Sequence, residues 1–251
     1  MKNIKFSTVS TVEATEVTPK TLSWSALTKL LIQSKFQESG RDGSGLVPSK
    51  IEKGEGQTEA TKGRIGRFRQ SHLVEHISLL VLDIEETEIS DDPEKIMKWI
   101  EKRLPDDTLH AVYTTYHHGV AECDRCCDQA EKWEPDYPRL RLVVPLVEPV
   151  EPENYELLFR WAEDTFDGVD TQTKDPTRIS YLPRMPHPDA ELDGFVLQPL
   201  LRSGEVSARS FLRRCSTDRE NEGLPDRVAR RQRGDGQDRW QAIAHRVEMQ
   251  P

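Results

Sequence analysis

Cysteine is scarce in this sequence, and the placement of the few that occur excludes one class of fold. The 251 residues contain four cysteines, and three of them, Cys123, Cys126 and Cys127, lie within five positions. Small secreted proteins that depend on disulfides space their cysteines in pairs along the chain, which is not the pattern here. A chain of this length can bury a real core without crosslinks. We therefore expect a protein of a reducing compartment.

Long apolar runs are also absent. No stretch approaches the ~20 apolar residues that a membrane-spanning helix requires. The first residues, MKNIKFSTVSTVEATEV, contain no uninterrupted hydrophobic segment of the kind that directs export. The sequence therefore predicts a cytoplasmic protein with no membrane partner.

Positive charge is in deficit overall but not at the C-terminal end. The 35 Lys and Arg residues against 44 Asp and Glu give a formal net charge of -9, which argues against coating nucleic acid by bulk charge. Residues 202–251 nevertheless contain 11 Arg and 8 acidic residues, a charge of +3. Such a tail is suited to phosphate contacts by counterion release, and Trp240 to stacking on a base. The alternatives are a solvated, partly disordered tail or a short amphipathic helix that docks on a partner protein.

The hydrophobic pattern predicts a mixed α+β domain over residues 1–200, with a mixed sheet flanked by helices, and an Arg-rich helical or partly disordered tail over 201–251. Residues 21–36 have a helical period, and residues 37–66 are rich in Gly, Ser and charge and predict a long loop. Residues 76–86 predict a strand buried on both faces. Further helices are predicted from residues 93 and 152, and further strands over 110–118, 139–146, 179–183 and 194–201.

The candidate chemistry begins at the end of the buried strand, in the motif LVLDIEE. Asp83 and Glu85 share a strand face there, roughly 7 Å apart. Two carboxylates so close repel each other unless a cation lies between them, and hard oxygen ligands favour Mg²⁺ or Mn²⁺. The alternative is that these acids only mark the point where the strand meets solvent.

Later motifs supply further polar residues near the same edge of the predicted sheet. The strand over 110–118 ends in His117 and His118, and Arg139 and Arg141 alternate at the start of the next strand. Two arginines on one face would form a phosphate clamp, although an ordinary half-exposed strand would show the same pattern. The segment VDTQTKDPTRISYLP adds Asp170 and Asp175 as candidate third acids and Arg178 as a further anion contact.

The succession LVLDIEE, YTTYHH, PRLRLVVPL and VDTQTKDPTRISYLP resembles the catalytic domain of the archaeo-eukaryotic primase superfamily, in particular the primase-polymerase replication proteins of plasmids and phages. The resemblance covers about residues 65–185. It implies an RRM-like palm and a DNA primase or polymerase that joins nucleotides to a 3′-hydroxyl by a two-metal mechanism. It also implies template DNA and nucleoside triphosphates (ribo- or deoxyribonucleotides) as partners.

The resemblance further implies the role of each candidate residue. Asp83, Glu85 and Asp170 would be the catalytic acids and the ligands of two Mg²⁺ or Mn²⁺ ions. His118, or His117 beside it, would contact the incoming nucleotide, together with Arg139, Arg141 and Arg178. Asp167 and Asp175 compete with Asp170 for the third acidic position. On this reading, alanine at Asp83 or Glu85 abolishes incorporation and leaves the fold intact.

The cysteine cluster is a separate question. Cys123, Cys126 and Cys127, with His117 or His118, provide enough soft ligands for a structural zinc ion, but adjacent cysteines suit tetrahedral geometry poorly. Reduced thiols without a metal are the alternative.

Two other functions remain open at this point. One is a non-catalytic nucleic-acid-binding replication initiator, and the other is a different metal-dependent phosphotransfer enzyme, such as a nuclease or a sugar-nucleotide transferase. Three convergent acids disfavour a binding module, because they would repel phosphate. The sequence has no GxxxxGK[ST] phosphate loop, so a helicase would be a separate partner.

Overall fold

The computed structural model describes residues 3–32, 35–36, 43–85, 93–105, 108–115 and 139–185. Within those residues the chain has a mixed α+β fold, as predicted, and none of its helices is long and apolar enough to cross a bilayer. The strands, β1 to β12 in chain order, are Ile4–Val9, Thr18–Leu22, Lys35–Phe36, Gly45–Val47, Ser49–Ile51, Gly54–Glu55, Ile65–Gly66, Val74–Ile84, Ala111–Thr114, Leu140–Val150, Ser180–Tyr181 and Arg184–Met185. The helices, α1 to α3, are Trp24–Ile32, Pro93–Arg103 and Pro152–Thr165. The predicted strand over 194–201 and the Arg-rich tail lie outside the described residues.

The sheet that carries the candidate site has the strand order β5-β8-β10-β9. Its two long strands, β8 and β10, pair antiparallel, with Leu82 opposite Leu142. Because β9 is also antiparallel to β10, β8 and β9 run parallel to each other with β10 between them. The unit β8-α2-β9 is therefore a split βαβ arrangement, in which β10 lies between the two parallel strands.

A second sheet, of order β11-β4-β1-β2, covers one face of the first. Side chains alternate along β8, so Leu79 and Val81 point to the same face as Asp83. Leu79 and Val81 belong to a core cluster shared with β1, β4 and α1, whose buried contributors include Phe6, Leu46, Trp24 and Leu27. The face of β8 that leads to Asp83 is therefore covered by the second sheet and by α1.

The predicted helices are confirmed, and their apolar faces are buried as the helical period indicates. Helix α3 contacts β8, and Phe166 just after it packs against Trp161 and against Trp99 of α2. The buried residues of the two helices include Ile96, Ile100, Tyr155, Leu158, Phe159 and Ala162.

The prediction of a long loop over residues 37–66 is wrong for the described part of that segment, which contains β4, β5, β6 and β7. These strands are two or three residues long, too short for alternation to be visible in a sequence. The two buried strands depend on distant partners, because β4 pairs with β1 and β5 pairs with β8, whereas β6 and β7 pair with each other. Long-range pairing overrides the Gly-rich composition here.

Candidate functional site

Two acidic side chains lie at the end of β8, at the rim of the core. Leu79 is fully buried and Val81 is 2% exposed, whereas the side chains of Asp83 and Glu85 are 13% and 37% exposed. The strand therefore emerges from the core over these four alternate positions. The acids are held on a rigid element at the point where solvent first reaches this face.

A short segment beyond α3 pairs with this end of β8. Val169 forms an antiparallel bridge with Ile84. The Glu85 N–H donates to the Gly168 carbonyl (2.7 Å), and the Asp170 N–H donates to the Asp83 carbonyl (2.8 Å). The segment can occupy this edge because β5 covers β8 only near its start, at residues 74–77.

This register determines where the third acid lies. Asp170 is directly opposite Asp83, and opposed residues in an antiparallel pair point to the same face with Cβ atoms about 5 Å apart. Asp83, Glu85 and Asp170 therefore project from the same face of two adjacent segments. The Asp170 carboxylate also accepts from the Gln172 N–H (2.9 Å) and caps the short 3-10 turn that follows.

Gly168 permits this close approach. Its φ is +76°, in the left-handed region, and a Cβ atom at this position would lie 1.8 Å from the Glu85 carbonyl oxygen. Sequence reasoning missed Gly168. The only local signal is the Asp167-Gly168 turn pair before a hydrophobic residue.

Arg141 binds Asp83 closely. Its Nε donates to one carboxylate oxygen of Asp83 and its Nη2 to the other (2.5 Å). The two residues are directly opposite each other on β10 and β8, and Arg141 is 5% exposed. The strand β10 is thus buried on both faces here, whereas the sequence predicted that Arg141 lies on a face open to solvent or ligand. Burial tends to lower the pKa of Arg141, but the attraction of Asp83 outweighs it and raises that pKa, so the guanidinium stays charged.

The same guanidinium reaches a third strand. Arg141 Nη1 donates to the Tyr181 carbonyl of β11 (2.8 Å), and this oxygen also accepts from the Tyr113 hydroxyl (2.9 Å). Burial raises the pKa of Tyr113 despite the opposing effect of Arg141, so the phenol stays protonated and donates. Arg141, Asp83, Tyr113 and Tyr181 therefore form one buried network.

The other two acids face their arginines at longer range. Arg139 Nη1 is 3.8 Å from a Glu85 oxygen, and Arg178 Nη2 is 3.9 Å from an Asp170 oxygen. Both separations exceed hydrogen-bonding distance, and all four side chains are at least 21% exposed. Among the described arginine–acid contacts of the site, Arg141–Asp83 is the close buried pair, and the other two lie at longer range between partly exposed side chains.

The competing acids occupy different environments. The side chain of Asp167 is 89% exposed and lies 4.0 Å from Arg103 on α2. Asp175 accepts from both the N–H and the hydroxyl of Thr177, each at 2.8 Å, and so stabilises its own turn. Of the three candidates, Asp170 alone has its backbone bonded to the Asp83 strand among the described residues.

The histidines and the cysteine cluster lie outside the described residues. This applies to His117 and His118 and to Cys123, Cys126 and Cys127, so the predicted nucleotide contact and the possible zinc site stay predictions. Within the described ranges, no three His, Cys, Asp or Glu side chains are already gathered around one point as a metal site.

The donor set itself fits a divalent cation. Three carboxylates on one face, two of them on directly opposed residues, supply the hard oxygen ligands that Mg²⁺ and Mn²⁺ prefer. Arg141 hydrogen-bonds both oxygens of Asp83, whereas Arg139 and Arg178 lie beyond hydrogen-bonding distance of Glu85 and Asp170. The side chains of Glu85 and Asp170 are 37% and 27% exposed against 13% for Asp83, so a cation approaching from solvent would meet them first.

Comparison with known proteins adds little to this geometry. No protein-family model matches the chain, and no curated protein matches it either. Among solved structures, the chain is similar to the archaeo-eukaryotic primase domain of the primase-polymerase of cyanophage S-2L, with 12% identity over 84% of this chain and 88% of that one and a TM-score of 0.43. That TM-score is too low to establish a shared fold, and the family remains a resemblance of sequence motifs.

Proposed function

We propose that this chain is a metal-dependent nucleotidyltransferase, a DNA primase or polymerase that adds nucleotides to a 3′-hydroxyl on a DNA template during plasmid or phage replication. The observation that carries the proposal is the pairing of residues 168–170 with the end of β8, which brings Asp170 opposite Asp83 on the face that also holds Glu85. The order of the sequence motifs supports it. So does the chain order β8-α2-β9-β10-α3 with β10 between β8 and β9, which is the order expected of an RRM-like palm.

In the proposed reaction, Asp83, Glu85 and Asp170 hold Mg²⁺ or Mn²⁺. Such ions, when bound, lower the pKa of an attacking hydroxyl and offset the charge that develops on a leaving pyrophosphate. Arg139 and Arg178, which are both partly exposed, contact the triphosphate of the incoming nucleotide. His118, or His117, is proposed as a further triphosphate contact, and template DNA and a separate helicase as partners.

Primer extension tests the proposal directly. The full chain is incubated with a labelled primed template, dNTPs and Mn²⁺ or Mg²⁺, and we expect a ladder of extended products. Glu85→Gln and Asp170→Asn each remove one negative charge with almost no change in shape. We expect each to lower incorporation by at least ~100-fold, in line with the loss of a metal ligand or its support. Stability should change by no more than about 1 kcal/mol, since both side chains are partly exposed and ion pairs of exposed groups contribute little.

A matched control comes from beside the start of β8, at the opposite end of that strand from the site. Glu52→Gln also neutralises an accessible glutamate that pairs with a cation, but it lies next to β5 and not at the site. We expect full incorporation from this variant. Extension by Glu85→Gln or Asp170→Asn at the wild-type rate contradicts the proposal.

The other two functions give different gels. A nuclease shortens the labelled primer, and a non-catalytic initiator retards the primed template without changing its length. Either result from the wild-type chain, without extension under any metal condition, also contradicts the proposal.

A further inference from the structure

We infer that Arg141 is a positioning residue, which holds the acidic end of β8 and the segment that carries the third acid in one fixed arrangement. The inference rests on the proposed function and deepens it. It changes the role of Arg141 from a phosphate contact to a link between the two parts of the site.

The segment from Gly168 to Tyr181 is tied down at its two ends. At its start, two backbone hydrogen bonds join it to Asp83 and Glu85. At its end, the Tyr181 carbonyl accepts from Arg141, and β11 pairs with β4 of the second sheet. Asp170 and Arg178 lie between these two attachments, so their positions depend on both.

Arg141 is the side chain that touches both parts. Three of its N–H groups are used, two on the Asp83 carboxylate and one on the Tyr181 carbonyl. A guanidinium presents its donors in a rigid planar fork, so the orientation of Asp83 and the position of Tyr181 are fixed relative to each other. A lysine ammonium in the same place keeps the charge but cannot reproduce this fork.

Burial separates Arg141 from the arginines proposed to bind nucleotide. The side chain of Arg141 is 7% exposed, whereas those of Arg139 and Arg178 are 21% and 41% exposed. A phosphate approaching from solvent would meet Arg139 and Arg178 first. To reach Arg141, it would have to displace both Asp83 oxygens from a buried pair, which is unfavourable because it leaves a buried carboxylate without its partner.

Arg141→Lys tests the inference, because it changes geometry and keeps the charge. The first readout needs no catalysis. Amide hydrogen exchange is followed in peptides that cover residues 168–182, in full-length protein without metal or nucleotide. We expect faster exchange there in Arg141→Lys than in the wild type, while the helix α3 exchanges at the wild-type rate.

The second readout is Mn²⁺ binding, measured by electron paramagnetic resonance of the free ion. We expect the affinity of Arg141→Lys to fall by about tenfold, as when a residue that orients a metal ligand is replaced. In primer extension, kcat should fall more than KM for dNTP rises, because Arg141 does not touch the nucleotide.

Arg67→Lys is the matched control. Arg67 also donates to a backbone carbonyl, that of Ile51 (3.1 Å), and lies 3.4 Å from a carboxylate, that of Glu52, but at the other end of β8. We expect its Mn²⁺ affinity to stay within about twofold of wild type, since distant sites act independently.

The outcomes separate the inference from the function on which it rests. A folded Arg141→Lys with wild-type exchange over 168–182 and wild-type Mn²⁺ affinity overturns the positioning role. A wild-type chain that neither binds Mn²⁺ nor extends primers overturns the proposed function, and the exchange experiment still decides what Arg141 holds. Should Arg141→Lys fail to fold, the neutral double variant Asp83→Asn/Arg141→Gln is measured for exchange alone. Faster exchange over 171–182 supports the inference, and wild-type exchange overturns it.

Discussion

The two ends of β8 each carry a cluster of charged side chains, and the clusters differ in how tightly the charges are paired. At the start of the strand, Lys50 lies 2.7 Å from Glu52 and also contacts Glu75, while Arg67 lies 3.4 Å from Glu52. Each of these charges is close to an opposite one, and all are at least one-quarter exposed. This cluster has the character of a solvated surface network, which contributes little to stability.

At the end of the strand, the closely paired charges and the solvent-accessible charges belong to different residues. Asp83 and Arg141 form a close pair that is almost fully buried. The accessible acids, Glu85 and Asp170, stand 3.8 and 3.9 Å from their arginines and are positioned by backbone hydrogen bonds instead. Their carboxylates can therefore change partners while the backbone beneath them stays in place. This combination, and not the number of charges, marks the second cluster as a candidate site.

The largest expected difference between the two ends concerns stability. Asp83→Ala leaves the buried Arg141 without its anion and should cost about 3–5 kcal/mol of unfolding free energy. Glu75→Ala, on the same strand, should cost no more than about 1 kcal/mol. Urea unfolding of both variants measures the two losses of unfolding free energy. Equal small losses would contradict the claim that the pair of Asp83 and Arg141 is buried and close while Glu75 belongs to a solvated network. The same measurement tests the prediction that alanine at position 83 leaves the fold intact, and Glu85 and Asp170 are the better probes of activity because their side chains are more exposed.

A pair of glycines gives the next largest contrast. Gly168 and Gly63 have nearly the same φ, +76° and +75°, but a Cβ at Gly63 would meet nothing within 4 Å. Gly63→Ala should therefore show only the cost of the left-handed conformation, about 1–2 kcal/mol. Gly168→Ala should lose more stability and most incorporation, because the added methyl would displace residues 168–170 from Glu85. Equal losses in thermal unfolding and in primer extension would show that the close approach has no consequence for the site.

The smallest expected effect is on the pH dependence of stability, and it comes from the cluster at the start of β8. Hydrogen bonds with Glu75 and with Lys50 lower the pKa of Glu52 from 4.5 to about 2. A carboxyl whose pKa is lowered in the folded state contributes stability above its unfolded pKa, and this contribution is lost as the pH falls from about 4.5 towards 2. Lys50→Met should make the loss of stability in that range shallower, by less than about 1 kcal/mol, and leave incorporation unchanged. If the stability of both proteins fell identically between pH 4.5 and pH 2, the pairing of Lys50 with Glu52 would be contradicted.

Periodic features of this chain were predictable from sequence, and features that depend on register were not. The buried faces of α2 and α3 follow from the spacing of Ile96, Ile100, Leu158 and Ala162, and the continuous apolar run before Asp83 indicates a buried strand. Both signals are local.

The site itself depends on contacts between distant parts of the chain. Which acid among Asp167, Asp170 and Asp175 meets Asp83 is decided by the bridge between Ile84 and Val169, whereas the sequence favours Asp170 only through the family resemblance. The partnership of Arg141 with Asp83 likewise follows from the antiparallel register of β8 and β10. Charge alternation at the start of β10 indicated a solvent-facing clamp, because a buried ion pair has the same sequence signature as two exposed charges.

The central claim is that Asp83, Glu85 and Asp170 together bind divalent cations, and one crystallographic measurement tests it most directly. Crystals of the full chain are soaked in Mn²⁺, and the anomalous signal of the metal is located. We expect a peak within ~2.5 Å of carboxylate oxygens of both Glu85 and Asp170, the range of metal–oxygen bonds to hard cations, with Asp83 turned towards the same ion or a second one. Saturating Mn²⁺ that leaves this face empty, with the three acids in the same arrangement as without the metal, would contradict the account.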